Sequence, residues 1–391
     1  MKLLLFPSEF PPGPGGIGSH AYQVALHLCK MGWAVTVLSP QEYAQSDEVR
    51  AFNDSQPFQV VPLVGTSPLR PLTALNRFSM LYSWVKNWQP DVMLASGARP
   101  VWLAALLARL CPLKWMAVGH GLEFGTSSFW CRQLSRRAYS AADGVICVSH
   151  YTRGRMLEMG VAPKLEVVIP NGADEESFQL LEPDKIIDFR RRLGLEQNPL
   201  LLTVGHVSER KGQDIVIRAL PLVLKSAPEA HYLMAGLPTL REPLANLARS
   251  LGVEDRVHFL GRLDPETLVR AYNACDVYIM TSRHSRSGDF EGYGIAVVEA
   301  AFCGKPAVVS AGSGLEEAVK ADETGLVVPQ EDPEATAGAI VRLLNGETLR
   351  RQLGEKARER ALGEQTWTNR IAEYDRILHR IARGHCGPDR V

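Results

Sequence analysis

Short apolar runs recur along this chain with longer amphipathic stretches between them, and the alternation runs through once and then starts again. Leu3–Phe6, Val35–Leu38, Val92–Leu94, Trp115–Val118, Val145–Val148 and Val167–Ile169 read as a first set of strands. Between several of them lie patterns such as Ala21, Val24, Ala25 and Leu28, which share one face of a helix. Strand–helix alternation implies a parallel, doubly wound sheet. After Asn171-Gly172 a second set follows: Leu200–Val204, Tyr232–Ala235, Val257–Leu260, Val277–Met280, Ala307–Val309 and Leu326–Val328. The fold class expected is therefore α/β, with two Rossmann-like doubly wound domains facing a central cleft. The first would span 1–170, completed by a C-terminal helix near 370–385, and the second 171–369. Glu182–Asn198 reads as the opening helix of the second half, Leu349–Arg383 as helical, and the stretch after Gly384 as frayed.

A chain of 391 residues fits two domains. Its 43 Lys and Arg balance 43 Asp and Glu, so it lacks the cationic excess that a broad grip on nucleic acid requires. The seven cysteines are scattered and contain no C-x-x-C pair, which argues for a reducing compartment over a disulfide framework or zinc ribbon. Met1-Lys2-Leu3-Leu4-Leu5-Phe6-Pro7 is too short for a signal core and reads as a buried first strand. The longest continuous apolar run, Val101–Ala108, falls far short of the roughly 20 residues of a membrane span. The expected location is cytoplasmic, or peripheral on the inner face of the membrane.

In open α/β sheets ligands sit beyond the carboxyl ends of the strands, so the chemistry is sought there. Gly13-Pro14-Gly15-Gly16-Ile17-Gly18 opens a helix and matches G-x-G-x-x-G. It begins seven residues after Phe6, and no acidic residue follows the second strand to hold a ribose, which disfavours a nicotinamide or flavin site. Two readings remain, an anion cradle at a helix N-terminus and a turn that needs positive φ. Gly205-His206-Val207-Ser208-Glu209-Arg210-Lys211-Gly212 places a planar guanidinium beside a compact ammonium, suited to a diphosphate or else a solvated surface pair. In Phe290-Glu291-Gly292-Tyr293-Gly294-Ile295 two glycines precede an apolar helix, so free amides gather there. Glu299 lies about one turn inside that helix and leans back toward its start. Glu291 and Glu299 would repel a phosphate but accept hydrogen bonds from sugar hydroxyls; a helix cap is the alternative for Glu291. His120 stands between Gly119 and Gly121 at a strand end, where packing alone explains it poorly.

Together these segments resemble a retaining glycosyltransferase of the two-Rossmann, GT-B type, in family 4 (the group 1 glycosyl transferases), over nearly the whole chain. The most specific elements are F-E-G-Y-G-I-x-x-V-E-A, with Glu291 and Glu299 eight positions apart, and G-x-x-x-E-R-K-G at Gly205–Gly212. Val148-Ser149, Pro170-Asn171-Gly172-Ala173-Asp174 and Thr324-Gly325-Leu326-Val327-Val328-Pro329 echo it. One departure is Gly312-Ser313-Gly314-Leu315-Glu316, where the family has Gly-Gly before an acidic residue.

The resemblance implies that Arg210 and Lys211 hold a donor diphosphate and that Gly16 approaches the same phosphates from across the cleft. It also implies that Glu291 and the amides of Gly292, Tyr293, Gly294 and Ile295 hold the transferred sugar, and Glu299 the ribose. His120 would contact the sugar near the reacting carbon, and Arg262 lies where the base is cradled. The implied reaction moves a hexose from a nucleotide sugar, UDP-glucose first and GDP-mannose second, to a hydroxyl of a glycan or lipid-linked acceptor. No metal or other cofactor is implied, and the sequence contains no D-x-D. Trp84, Trp88, Trp102, Trp115 and Trp130, with Arg132, Arg136, Arg137, Arg153 and Arg155, either form core and solvated surface or touch anionic lipid head groups. The rival readings are a sugar-nucleotide epimerase of the same fold, a glycoside hydrolase and a non-catalytic carbohydrate-binding protein. The hydrolase leaves Arg210, Lys211 and the glycine cradles without a purpose.

Overall fold

The computed structural model describes residues 1–384 except Pro14, Tyr43, Val64 and 66–69; Cys386 and the stretch after Gly384 lie outside the described residues. The chain forms two compact units, divided at Asn171/Gly172 and again at Thr366/Trp367. The first contains a seven-stranded parallel sheet of β1 (Lys2–Pro7), β2 (Ala34–Ser39), β3 (Gln59–Pro62), β4 (Val92–Ser96), β5 (Trp115–Gly119), β6 (Gly144–Cys147) and β7 (Glu166–Val168). Their order is β3-β2-β1-β4-β5-β6-β7. All its neighbours pair in parallel, Leu3 to Val35 on one side and to Val92 on the other. A strand flanked on both sides and covered on both faces needs apolar residues at every position, which is why these strands read as unbroken runs. Leu3, Leu4 and Leu5 have no solvent exposure. Each such side chain contributes up to about 1.5–3 kcal/mol relative to exposure.

β3 is absent from the strands expected on sequence. Its Gln59-Val60-Val61-Pro62 is short, ends in proline and lies at the sheet edge, half-exposed, so it carries almost no apolar signal. The helix expected over Glu182–Asn198 spans only Pro183–Arg192, because Gly194 turns left-handed and ends it. The continuous helical stretch expected from Leu349 is two helices, Glu347–Glu364 and Trp367–Ala382, broken at Gln365-Thr366. The second of these packs in the first unit. Its buried Trp367, Ile371, Tyr374, Leu378 and Ile381 line one helical face, and Trp33 Nε1 donates to Asp375 at 2.7 Å.

The second unit holds a six-stranded parallel sheet of β8 (Leu200–Val204), β9 (His231–Ala235), β10 (Val257–Gly261), β11 (Val277–Met280), β12 (Ala307–Ser310) and β13 (Gly325–Val328), ordered β10-β9-β8-β11-β12-β13. Leu201, Tyr232, Val277, Ile279 and Val308 from the strands meet Val216, Leu220 and Ile340 from the helices in one core. In both sheets the strand order reverses once, between β1 and β4 in the first and between β8 and β11 in the second. In open α/β sheets a reversal of this kind is where ligands sit, beyond the carboxyl ends of the strands.

Candidate active site

In the second unit the loop leaving β8 makes a single 3-10 turn, Glu209–Lys211, and ends at Gly212, whose φ of +67° starts the helix Gln213–Ser226. A Cβ at Gly212 would overlap the carbonyl oxygen of Thr281, so only glycine fits. Thr281 Oγ1 donates to the Gly212 carbonyl at 2.8 Å, and the Arg283 amide donates to the Arg210 carbonyl at 2.8 Å. The Arg283 guanidinium donates to the Glu209 carbonyl at 2.9 Å and pairs with Asp214. The segment after β11 thus clamps the segment after β8. Gly205, at φ +139°, lets the Lys211 stem fold against it.

Arg210 and Lys211 converge on one acid. Glu291 Oε2 accepts from Arg210 Nη1 and, at 2.7 Å, from Lys211 Nζ. Burial alone would raise the Glu291 carboxyl, yet the two cations outweigh it and hold it down at about 2. Burial lowers the Lys211 ammonium, and Glu291 pulls it part of the way back. The carboxylate therefore fills the position between the cations that an anion would take.

Beyond Glu291 the chain passes Gly292, Tyr293 and Gly294 into the helix Ile295–Phe302. Gly314 lies so close to the Gly292 carbonyl that a Cβ there would overlap it, and the Gly314 amide donates to the Glu291 carbonyl at 3.0 Å. The Tyr293 side chain is buried, its phenol accepting from Gln365 Nε2 at 3.0 Å.

Glu299 sits one turn into that helix and accepts from the Tyr272 phenol at 2.6 Å on Oε2. Burial pushes its carboxyl up to about 7, against the opposing pull of Tyr272 and Lys211. Two acids eight positions apart are thereby driven to opposite ends of the carboxyl range by their surroundings. Arg262 follows Gly261 at the end of edge strand β10, two strands from β8.

The first unit brings a second group together. Gly16 is the first residue of the helix Gly16–Lys30, with Gly15 as its N-cap at φ +149°. The cradle foreseen there is already engaged: Glu9 Oε1 accepts from the amides of Ile17 and Gly18, both at 3.1 Å. Burial raises the Glu9 carboxyl, and the two amides partly offset this. Sequence reading missed Glu9, although an acid between β1 and a glycine-rich helix start was the available signal.

His120 leaves the end of β5. Its Nε2 is 2.8 Å from Ser96 Oγ at the end of β4, and its amide donates to Glu123 Oε1 at 2.8 Å. Tyr139 donates to the same oxygen at 2.8 Å. Burial pushes the His120 imidazole down to about 3, so it is neutral and can take part in hydrogen bonds but not as a cation. His20, also missed, packs edge-on against it with ring centres 4.9 Å apart and places Nε2 2.8 Å from the Tyr374 phenol.

The tryptophans divide. Trp115 belongs to the core, Trp84, Trp88 and Trp102 are half-buried, and Trp130 is 80% exposed. Trp130 lies with exposed Phe129 and Leu134 on the helix Phe129–Ser140, beside exposed Arg132, Arg136 and Arg137. Arg153 and Arg155 are committed elsewhere, paired with Glu166 and Glu158.

A family model described as Glycosyltransferase Family 4 matches residues 14–177, and one described as Glycosyl transferases group 1 matches residues 185–360. The chain is 31% identical over 381 residues to the GDP-mannose-dependent alpha-(1-6)-phosphatidylinositol monomannoside mannosyltransferase of Mycolicibacterium smegmatis, covering 96% of this chain and 98% of that one. It is 28% identical over 371 residues to the GDP-mannose-dependent monoacylated alpha-(1-6)-phosphatidylinositol monomannoside mannosyltransferase of Corynebacterium glutamicum, covering 94% of each. Among solved structures, sucrose-phosphate synthase from Thermosynechococcus elongatus shares the fold with a TM-score of 0.81 at 22% identity, over 98% of this chain and 99% of that one. Motifs, paired sheets and full-length relatives agree: the chain belongs to the family 4, group 1 glycosyltransferases of the GT-B fold and draws on a nucleotide-sugar donor.

Proposed function

We propose that this glycosyltransferase moves mannose from GDP-mannose to a hydroxyl of an inositol-containing glycolipid, with retained anomeric configuration and without a resident metal. The observation that carries the diphosphate part is the convergence of Arg210 and Lys211 on one carboxylate at the β8/β11 crevice. The names of the relatives matched over nearly their whole length support the mannose and lipid-acceptor reading, and with it GDP-mannose as the donor preferred here over UDP-glucose.

On this reading the donor diphosphate takes the place of Glu291 between the two cations. The released carboxylate turns to the hydroxyls of the transferred sugar, alongside the amides of Gly292 to Ile295. Glu299 accepts from the ribose, and the backbone around Arg262 and Gly205 borders the nucleoside. The bond from the anomeric carbon to the phosphate oxygen breaks while the acceptor oxygen bonds that carbon, and the departing diphosphate takes the acceptor's proton. Arg210, Lys211 and the helix-start amides stabilise the charge that builds on the leaving group, a preorganised electrostatic effect. In the first unit, neutral His120 is fixed by Ser96 and Glu123 at the end of β5.

Among the described residues no helix is long and apolar enough to cross a membrane. The Phe129, Trp130 and Leu134 face with its three arginines suits an interfacial contact with an anionic bilayer, where a lipid acceptor resides. Donor hydrolysis tests the reading before the acceptor is known. GDP-mannose should be cleaved slowly to GDP and mannose, and the rate should survive EDTA. Cleavage of UDP-glucose alone overturns the donor assignment, and loss of activity on chelation overturns the metal-free mechanism.

A further inference from the structure

We infer that Tyr272 is the positioning residue of the ribose site, holding one oxygen of Glu299 so that the other faces the nucleoside. The inference rests on the reading of Glu299 as the ribose acceptor.

Tyr272 lies in the helix Pro265–Ala274 and is wholly buried. Its ring stacks edge-on against Phe178, with centres 5.5 Å apart, and tilts over Tyr278 at 5.7 Å, so the phenol has one fixed direction. That direction ends on Glu299 Oε2 at 2.6 Å. A phenol has a single proton to donate, and a carboxylate has about four acceptor positions. Glu299 Oε1 has no hydrogen-bond partner among the described residues. A free glutamate samples many rotamers; this one is pinned at one oxygen, which lowers the entropy lost when two vicinal hydroxyls arrive.

The surroundings give the tyrosine a second effect. Glu299 is faced by Lys211 from the turn after β8, by Asp174 from the segment after Asn171, by Tyr278 from β11 and by Cys303 just past the end of its own helix. Burial and Asp174 favour its neutral form, while Tyr272 and Lys211 favour the carboxylate. A neutral carboxyl keeps a proton on one oxygen and accepts two hydroxyls poorly, so the phenol also keeps Glu299 in the form that binds.

Tyr272→Phe removes only the hydroxyl. The test is calorimetric binding of GDP and of 2′,3′-dideoxy-GDP, to wild type, Tyr272→Phe and Glu299→Ala, from pH 6 to 9. Wild type should prefer GDP. Tyr272→Phe should lose about tenfold of that preference, the order of one hydrogen bond to a charged group. Its dideoxy affinity should be unchanged, which also reports that the variant is folded. The midpoint at which the preference develops should move to higher pH. Equal weakening of both nucleotides shows a packing role and overturns the inference. If Glu299→Ala abolishes the preference and Tyr272→Phe keeps it, the positioning role alone falls. If Glu299→Ala also keeps it, the ribose assignment of Glu299 falls with it.

Discussion

Replacing Glu291 with glutamine keeps the shape of the side chain and removes the charge that Arg210 and Lys211 share. The carboxyl is held at about 2 against a reference of 4.5, close to 2.5 pH units. At about 1.36 kcal/mol per unit, that linkage amounts to about 3 kcal/mol of stability. Burial lowers Lys211 and takes some of this back, so the figure is an upper value for the triad. The sign follows from the direction. A depressed carboxyl contributes fully above pH 4.5 and loses the contribution as the pH falls toward about 2. Seen from the cations, the same loss leaves two partly buried positive groups facing one another, and breaking a buried pair in this way costs on the order of 3 kcal/mol, in agreement with the linkage figure rather than added to it. In a unit of this size about 3 kcal/mol corresponds to a melting temperature lower by roughly 6–12 °C.

The same loss should improve binding of a competing anion, because inorganic diphosphate no longer has to displace a carboxylate. We expect Glu291→Gln to melt lower, to bind inorganic diphosphate several-fold more tightly and to turn over more slowly. Thermal melts from pH 3 to 8 and calorimetry with diphosphate measure both. The gap in melting temperature should be constant above pH 5 and narrow steadily from pH 4 toward pH 3, on its way to closing near pH 2. A variant that melts within about 2 °C of wild type at pH 7, or that binds diphosphate less well, refutes the reasoning.

Glu299→Gln should act in the opposite sense on stability. The raised carboxyl favours the fold below pH 4.5, and that advantage is lost as pH rises through about 7, so the glutamine variant should melt higher at pH 8 while binding GDP more weakly. Its half-buried side chain limits the gain to about 1–2 kcal/mol after solvent screening. Because burial keeps the His120 imidazole at about 3, the wild-type pH–rate profile should show no inflection between pH 5 and 8 that vanishes in His120→Gln. Such an inflection would mean that His120 titrates. Gly212→Ala meets the Thr281 carbonyl in a left-handed turn, so the Arg210–Lys211 segment must shift. Diphosphate affinity should drop at least tenfold with a loss of about 1–3 kcal/mol; wild-type affinity would show that the turn does not position the cations.

How much of this is legible in the chain depends on whether a residue's role is set locally or by the fold. Leu3–Phe6 and Val277–Met280 announce themselves because a strand covered on both faces has no room for a polar residue. Arg210, Lys211, Glu291 and Glu299 stand out together because the two cations lie in the glycine-bounded turn that follows β8, and the two acids flank the glycine-rich start of the helix Ile295–Phe302 downstream of β11. What the pattern does not carry is who neutralises whom before the ligand arrives. Glu9 meets the amides of Ile17 and Gly18 only after the segment beyond β1 folds back on the next helix, and Tyr272 reaches Glu299 from a different helix, 27 positions earlier. These partners are selected by tertiary proximity, so neither periodicity nor spacing points to them. Buried ionised groups must be compensated. The cations of the second unit and the helix start of the first each hold a carboxylate of this same chain, and on the proposed reading a diphosphate reaching Arg210 and Lys211 exchanges one anion for another rather than filling a bare site.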